Sequence, residues 1–202
     1  WTDNTIHLLR STTEYPVNNT PDQVKFDLEG YTVTGTFTNS KVSVKEIFNI
    51  LLNQTDKILS KYRIQIQNSQ YKLHEVLTLA SIVELEGKSS SDRSGIAQVF
   101  YNRLKINMKL GSDVTTYYAA KVDMNERDLY QTELDDYNDY NTRNSKMAGN
   151  LPVGPICNPG INALNAAIEP TSHNYFYFVA DKNRKTYFSK TNSEHIKTVN
   201  KL

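Results

Sequence analysis

The stretch LTLASIVELEG, from Leu77 to Gly87, constrains the fold more than any other part of the chain. Drawn as a helix, it carries aliphatic or small side chains on every side, so other elements have to cover it. Two carboxylates, Glu84 and Glu86, stand in it just before the terminal glycine. On a helix of about 3.6 residues per turn, positions two apart point roughly 200° away from each other, so these acids cannot form one pair on one face. Glu84 falls in line with Leu73, Leu77 and Ala80, and Glu86 falls beside Leu79, Ile82 and Val83. Each acid therefore interrupts an apolar sector. Burial disfavours the charged form of a carboxyl and raises its pKa, which suits a general acid at neutral pH. The same acids would be structural if they paired with Arg93 or Arg103, or stood solvated at the helix end.

A chain of 202 residues is long enough to bury such a helix in one sizeable domain with a smaller appendage. Its 23 basic and 22 acidic side chains leave a net charge of +1, too little to gather nucleic acid or anionic lipid by field alone. Nucleic acid is not an expected partner. The one cysteine, Cys157, excludes an internal disulfide, and the four histidines lack the close spacing of a zinc site. No metal or cofactor is expected. The chain contains no apolar run of the ~20 residues that a membrane-spanning helix needs.

Along the chain, residues 1–40 are rich in Thr, Asn and Asp, with STTEYPVNNTPDQ as a loop and YTVTGTFT as an alternating strand candidate. They read as a leading segment without a core of its own. Helical spacing then runs over 43–66, with Ser43 as N-cap and Glu46 three residues on. Further helices are expected over 72–87, stopped by Gly87, and over 91–105, with a short one starting at Ser112 or Asp113. Residues 123–150 are polar, tyrosine-rich and poorly periodic, the character of a lid or groove wall. In LPVGPICNPG, Asn158 and Pro159 read as N-cap and first residue of a helix that ends at Pro170. YFYFVAD and KTYFS form a hairpin about DKNR, and a last helix starts near Ser193. The expected fold is α+β: a mostly helical domain over 41–202 with a small C-terminal β-hairpin, behind a short N-terminal β and loop segment.

Four linked stretches, ASIVELEG, SDRSGIAQVFYNRLKINMKLGSDVTTYYA, YNTRNSKMAGNLPVGPICNPGINALNAAIEP and YFYFVAD…YFSKTNSEH, stand out in order and spacing. Together they resemble the catalytic region of the MltG/YceG-like endolytic murein transglycosylases over about residues 72–200, and LEGYTV resembles the family's segment just upstream. The resemblance implies a bacterial protein held at the outer face of the cytoplasmic membrane by an N-terminal transmembrane anchor absent from this chain. It implies a LysM-like subdomain ahead of the catalytic one, with residues 1–40 as its remnant. It also implies peptidoglycan glycan strands as substrate, and peptidoglycan synthases with division or elongation proteins as partners. The first glutamate of the family's IVEKE motif corresponds to Glu84, as general acid and then base, and the second to Glu86 in a supporting role.

In the implied reaction, the protonated acid donates to the oxygen between N-acetylmuramic acid and N-acetylglucosamine as that bond breaks. The carboxylate then takes the proton of the muramoyl C6 hydroxyl, which closes on C1 as an anhydro end, so no second carboxylate is needed to activate water. Arg93, Asn102, Ser112, Asp113, Tyr118, Tyr140, Asn141 and Asn158 are expected to bind the glycan or support the acid, since amides and phenols hydrogen-bond hydroxyls and rings pack on sugar faces. Asp113 is equally readable as a helix cap, Arg103 as structural, His195 as a surface or capping residue and Cys157 as a small buried filler. The chain departs from the family at Val114, where a proline is usual, at Arg143, where a tyrosine is usual, and before Phe188, where a histidine is missing. A peptidoglycan-binding or scaffold domain that keeps the fold without turnover is the alternative from another functional class.

Overall fold

In the computed structural model, the described residues are 23–28, 31–36 and 44–202, with side chains described at residue 50 and from residue 52 onward. The chain divides into two compact units, Trp1–Gln70 and Tyr71–Leu202.

In the first unit, β1 (Gln23–Leu28) pairs antiparallel with β2 (Tyr31–Thr36), with Gln23 opposite Thr36 and Leu28 opposite Tyr31. The alternating YTVTGT stretch forms β2 as expected. Its partner QVKFDL alternates in the same way, with Val24, Phe26 and Leu28 two apart. The helix expected over 43–66 is divided. α1 (Val44–Leu59) gives way to a 3-10 turn at Ser60–Tyr62 before α2 (Arg63–Asn68). At the break, Ser60 Oγ donates to the Lys57 carbonyl at 2.9 Å, a side-chain bond that competes with the helical ladder. The expected cap Ser43 and the loop from residue 11 lie outside the described residues.

The second unit is built on α3 (Leu73–Glu86), α4 (Ser90–Lys105) and α7 (Ile161–Ile168). Leu79, Ile82, Val83, Ile96, Val99, Phe100 and Leu164 are buried between them, and Ala80, Ala97, Ala163 and Ala167 let the helices approach closely. α3 starts where the Lys72 N–H meets Glu75 Oε2 at 2.7 Å. α4 starts at a capping box in which the Asp92 N–H donates to Ser89 Oγ at 3.1 Å and the Ser89 N–H donates back to Asp92 Oδ2 at 3.2 Å.

Between them, Gly87 has an ordinary φ of −94°. A Cβ at that position would fall 2.5 Å from Arg93 Cγ, so the glycine leaves the space through which Arg93 crosses the turn.

After α4 come a tight turn and α5 (Asp113–Ala120), and then the polar excursion, which holds α6 (Gln131–Asp135) and a 3-10 turn at Ser145–Met147. The excursion is tied internally. Arg127 grips both oxygens of Glu133 at 2.7 and 2.8 Å, and that bond, followed by the Tyr130 N–H, lowers the Glu133 carboxyl to about 2.

α7 is capped by Gly160, one residue past Pro159, so the expected start at Asn158 and Pro159 is corrected. The helix therefore starts two residues later than expected, and Gly160, whose N–H donates to Glu84, is still extended. β3 (Tyr177–Ala180) and β4 (Thr186–Ser189) form the expected antiparallel hairpin, with Tyr177 opposite Ser189. α8 (Asn192–Val199) follows, capped by Thr191. The fold is α+β. Among the described residues no helix is long and apolar enough to cross a membrane.

Candidate active site

The proline- and glycine-rich loop before α7 lies along α3 and is fastened to it at successive turns. His74 Nε2 is 2.8 Å from the Val153 carbonyl, the Ile156 N–H donates to Ser81 Oγ at 3.0 Å, and Cys157 Sγ donates to the Ser81 carbonyl at 3.3 Å. The last fastening is Glu84, whose Oε2 accepts the Gly160 N–H at 2.9 Å. Its Oε1 meets Arg93 Nη2 at 2.5 Å, and the same nitrogen is 3.4 Å from the Glu84 carbonyl. Both oxygens of Glu84 are therefore engaged. The pair is largely covered, with side-chain exposures of 19% for Glu84 and 16% for Arg93, and Arg93 Nε is buried without a hydrogen-bond partner.

Glu86 leaves the other side of α3 toward the start of α5. Its Oε1 accepts the Ser112 hydroxyl at 2.6 Å. The residue keeps some exposed surface, but its carboxyl sits deep enough for desolvation to dominate its titration. Burial pushes its pKa above the ordinary carboxylate value. The Ser112 bond opposes that rise, Asp113 adds to it, and the charges of Arg103 and Lys88 oppose it.

Ser112 is itself buried and fixed. Its N–H donates to Thr142 Oγ1 at 3.0 Å, and its carbonyl accepts from Thr115 Oγ1 at 2.8 Å. Thr142 was not singled out from the sequence, although it stands inside the YNTR stretch that was; nor was the Gly160 N–H, which no side-chain pattern announces.

The other expected residues separate into two groups. Asn141 and Asn102 are structural. Asn141 is fully buried, and its amide nitrogen donates to the carbonyls of Glu133, Leu134 and Asp136, while its oxygen accepts from Thr116 Oγ1 at 2.9 Å and the Arg143 N–H at 3.1 Å. Asn102 donates to the carbonyls of His173 and Tyr175 at 3.0 and 2.9 Å and accepts from Gln98 at 2.8 Å. These amides hold chain segments together.

Asp113, Tyr118, Tyr140 and Asn158 keep accessible surface. Asp113 begins α5 and forms an ion pair with Arg143, so the arginine at this departure from the family pattern partners an expected groove residue. Tyr118 and Tyr140 pack ring to ring with centroids 4.8 Å apart. Val114, another of the departures, is buried. His195 is half-buried against Tyr177, ring centroids 5.5 Å apart, and its pKa is lowered by burial first and by Arg103 second.

A cavity of 280 Å³ lined by Ala120 at the end of α5 and by Thr132, Glu133, Asp136 and Asn138 of the excursion includes neither Glu84 nor Glu86. Among the described residues no three His, Cys, Asp or Glu side chains converge as metal ligands.

The site lies within a chain that resembles known proteins over most of its length. The YceG-like family profile matches residues 2–201. The chain is 37% identical over 194 residues to an endolytic murein transglycosylase of Bacillus subtilis, covering 93% of this chain and 52% of that protein. It is 33% identical over 183 residues to an endolytic murein transglycosylase of Streptococcus pneumoniae serotype 2, covering 87% of this chain and 32% of that protein. The crystal structure of a YceG-like protein from Listeria monocytogenes superposes with a TM-score of 0.74 at 37% identity, over 83% of this chain and 53% of that one. The chain thus spans between a third and about half of the length of these relatives. With its helices, its hairpin and nearly its whole length inside that match, the chain belongs to the YceG-like family.

Proposed function

We propose that this chain carries the catalytic domain of an endolytic murein transglycosylase. It cleaves the bond between N-acetylmuramic acid and N-acetylglucosamine in nascent glycan strands and leaves a 1,6-anhydro end. The names of the relatives support the reaction class. The observation that carries the acid's assignment is the environment of Glu86: a carboxyl raised by burial, with the Ser112 hydroxyl at 2.6 Å. A general acid must hold its proton when substrate arrives, and desolvation acts in that direction.

The resemblance to the family implies a donor at Glu84, two residues earlier. Both oxygens of Glu84 already accept, one from a guanidinium and one from a peptide N–H, so its geometry suits fastening the loop before α7. Glu86 donates its proton to the glycosidic oxygen as the C1–O bond breaks. Its carboxylate then removes the proton from the muramoyl C6 hydroxyl, whose oxygen bonds to C1. The proton returns to Glu86, and no water is consumed. The accessible side chains of Asp113, Tyr118, Tyr140 and Asn158 are the proposed glycan contacts. Such a substrate places the domain outside the cytoplasmic membrane, where synthases and division or elongation proteins are the partners the reading suggests.

Glu84 as donor is the second reading, favoured by its 19% side-chain exposure. Digestion of purified glycan strands, with mass spectrometry of the ends, separates the two. Wild type is expected to yield anhydro ends, Glu86→Gln to lose about 100-fold or more, and Glu84→Gln to keep measurable turnover. The reverse order of the variants would return the role to Glu84. Strand binding without anhydro ends from folded wild type would leave a binding or scaffold domain.

A further inference from the structure

Arg103, on the last turn of α4, joins the C-terminal hairpin to the turn that presents Ser112. Its Nε donates to the Phe176 carbonyl at 2.6 Å, Nη1 donates to the Leu110 carbonyl, and the guanidinium lies over the Tyr177 ring, 5.3 Å from the centroid. The turn it reaches is fixed at consecutive residues. Leu110 is fully buried, and Gly111 has a φ of +60°, where a Cβ would lie 3.4 Å from Arg103 Nη1. The Gly111 N–H donates to the Thr142 carbonyl and the Ser112 N–H to Thr142 Oγ1, both at 3.0 Å. Beyond this clamp the Ser112 hydroxyl emerges toward Glu86.

We propose that Arg103 is a positioning residue for Glu86: by gripping the Leu110 carbonyl it sets the Ser112 hydroxyl on the acid, and its charge steadies the carboxylate left after proton donation. The inference rests on the reading of Glu86 as the acid. Ser112 hydrogen-bonds Glu86 from the start of α5, and the charges of Asp113 on α5, Arg103 on α4 and Lys88 in the turn after α3 act on it. The Ser112 bond and the charges of Arg103 and Lys88 pull its pKa down against burial, while Asp113 pushes it up. Burial lowers the Arg103 pKa, yet a guanidinium keeps its proton throughout the working range, so its charge is constant.

The test titrates carboxyl-labelled glutamate by carbon NMR in the intact protein, with the Glu86 signal identified by its loss in Glu86→Gln, alongside the pH profile of glycan cleavage. Arg103→Gln removes an opposing charge, so the Glu86 midpoint and the alkaline limb of activity should both move to higher pH. Ser112→Ala should move them the same way. Arg103→Lys keeps the charge and loses the fork. Its midpoint should rise no further than in Ser112→Ala, through the loosened Ser112 bond alone, while kcat falls roughly ten- to a hundredfold with little change in KM.

A purely structural arginine would alter stability without moving the midpoint. An unmoved midpoint in folded Arg103→Gln overturns the inference. Should Arg103→Gln fail to fold, an unmoved midpoint in Ser112→Ala or an unreduced kcat in Arg103→Lys overturns it. A midpoint that moves without the activity limb following, or an active Glu86→Gln, instead defeats the assignment of the acid and takes the inference with it.

Discussion

Glu84 and Glu86 have the same side chain, helix and depth along the chain, and differ only in the direction that two residues of helical rotation impose. Glu84 turns toward Gly160 and Arg93, and Glu86 toward Ser112. That difference predicts opposite effects on stability. The folded-state pKa of Glu86 lies above the ordinary 4.5, so its protonated form favours the fold. This contribution is fully present below the unfolded pKa and is lost as pH rises through the folded one. Glu86→Gln keeps a neutral group in place. Its thermal midpoint should match wild type in acid and exceed it at alkaline pH. Glu84→Gln removes the charge that Arg93 faces and should cost on the order of 1–3 kcal/mol at neutral pH. Thermal unfolding of both variants across pH 4 to 9 checks the pair, and an alkaline Glu86→Gln less stable than wild type would sink the argument.

The helical wheel already separated these faces. It could not grade their depth: Leu79, Ile82 and Val83 beside Glu86 are fully buried, whereas Leu73 in the Glu84 sector is 39% exposed. What buries the first set arrives from α4 and α7, elements remote in sequence.

At the level of elements, legibility followed periodicity and caps. α3, α4, α5, the C-terminal hairpin and α8 lie within a residue or two of expectation, because apolar spacing, the Gly87 stop and alternating aromatic strands mark them. The misses have a different origin. The helix over 43–66 breaks at Ser60 through a hydroxyl–carbonyl bond, and α7 starts only after Gly160, whose backbone is still extended and whose N–H donates to Glu84. Asn141 looked like a groove residue, since an amide among tyrosines reads the same whether it meets a sugar or three carbonyls. Its complete burial decides for the latter.

Gly87 connects helix termination to the site. The sequence marked it as a stop, but its geometry is ordinary and its task is clearance. In Gly87→Ala the new methyl would sit 2.5 Å from Arg93 Cγ and 3.1 Å from its Cα, forcing the side chain off the carboxylate. A loss of about 1–3 kcal/mol is expected. It should shrink in an Arg93→Ala background, where the Cγ is gone, and the double-mutant cycle measures the coupling. Additive losses would show that the glycine serves α3 alone.

Across the whole molecule, composition suggested a division near residue 40, while compactness divides the chain between Gln70 and Tyr71. Every candidate site residue lies in the second unit. That unit has its own core under α3, α4 and α7, and its hairpin is seated on it by Phe178, which meets Phe100 edge to face at 5.8 Å. Its first residue belongs to that core region. The Tyr71 ring lies 4.8 Å from that of Tyr101, whose hydroxyl donates to the Ala167 carbonyl at 2.7 Å, and Lys72 then begins the cap of α3.

A unit with its own apolar core and closed helix ends should fold by itself. A chain cut to residues 71–202 is therefore expected to unfold in one cooperative transition and to keep the Glu86 carboxyl titrating as it does in the longer chain. A cut that starts at Leu73 loses the Tyr71 ring and the Lys72 cap, each worth about 0.5–1.5 kcal/mol, and should melt several degrees lower. Calorimetry on both fragments, with the NMR titration on the longer one, checks the boundary. A broad, non-cooperative melt of 71–202 would mean that this unit does not hold its acid in place without residues 1–70.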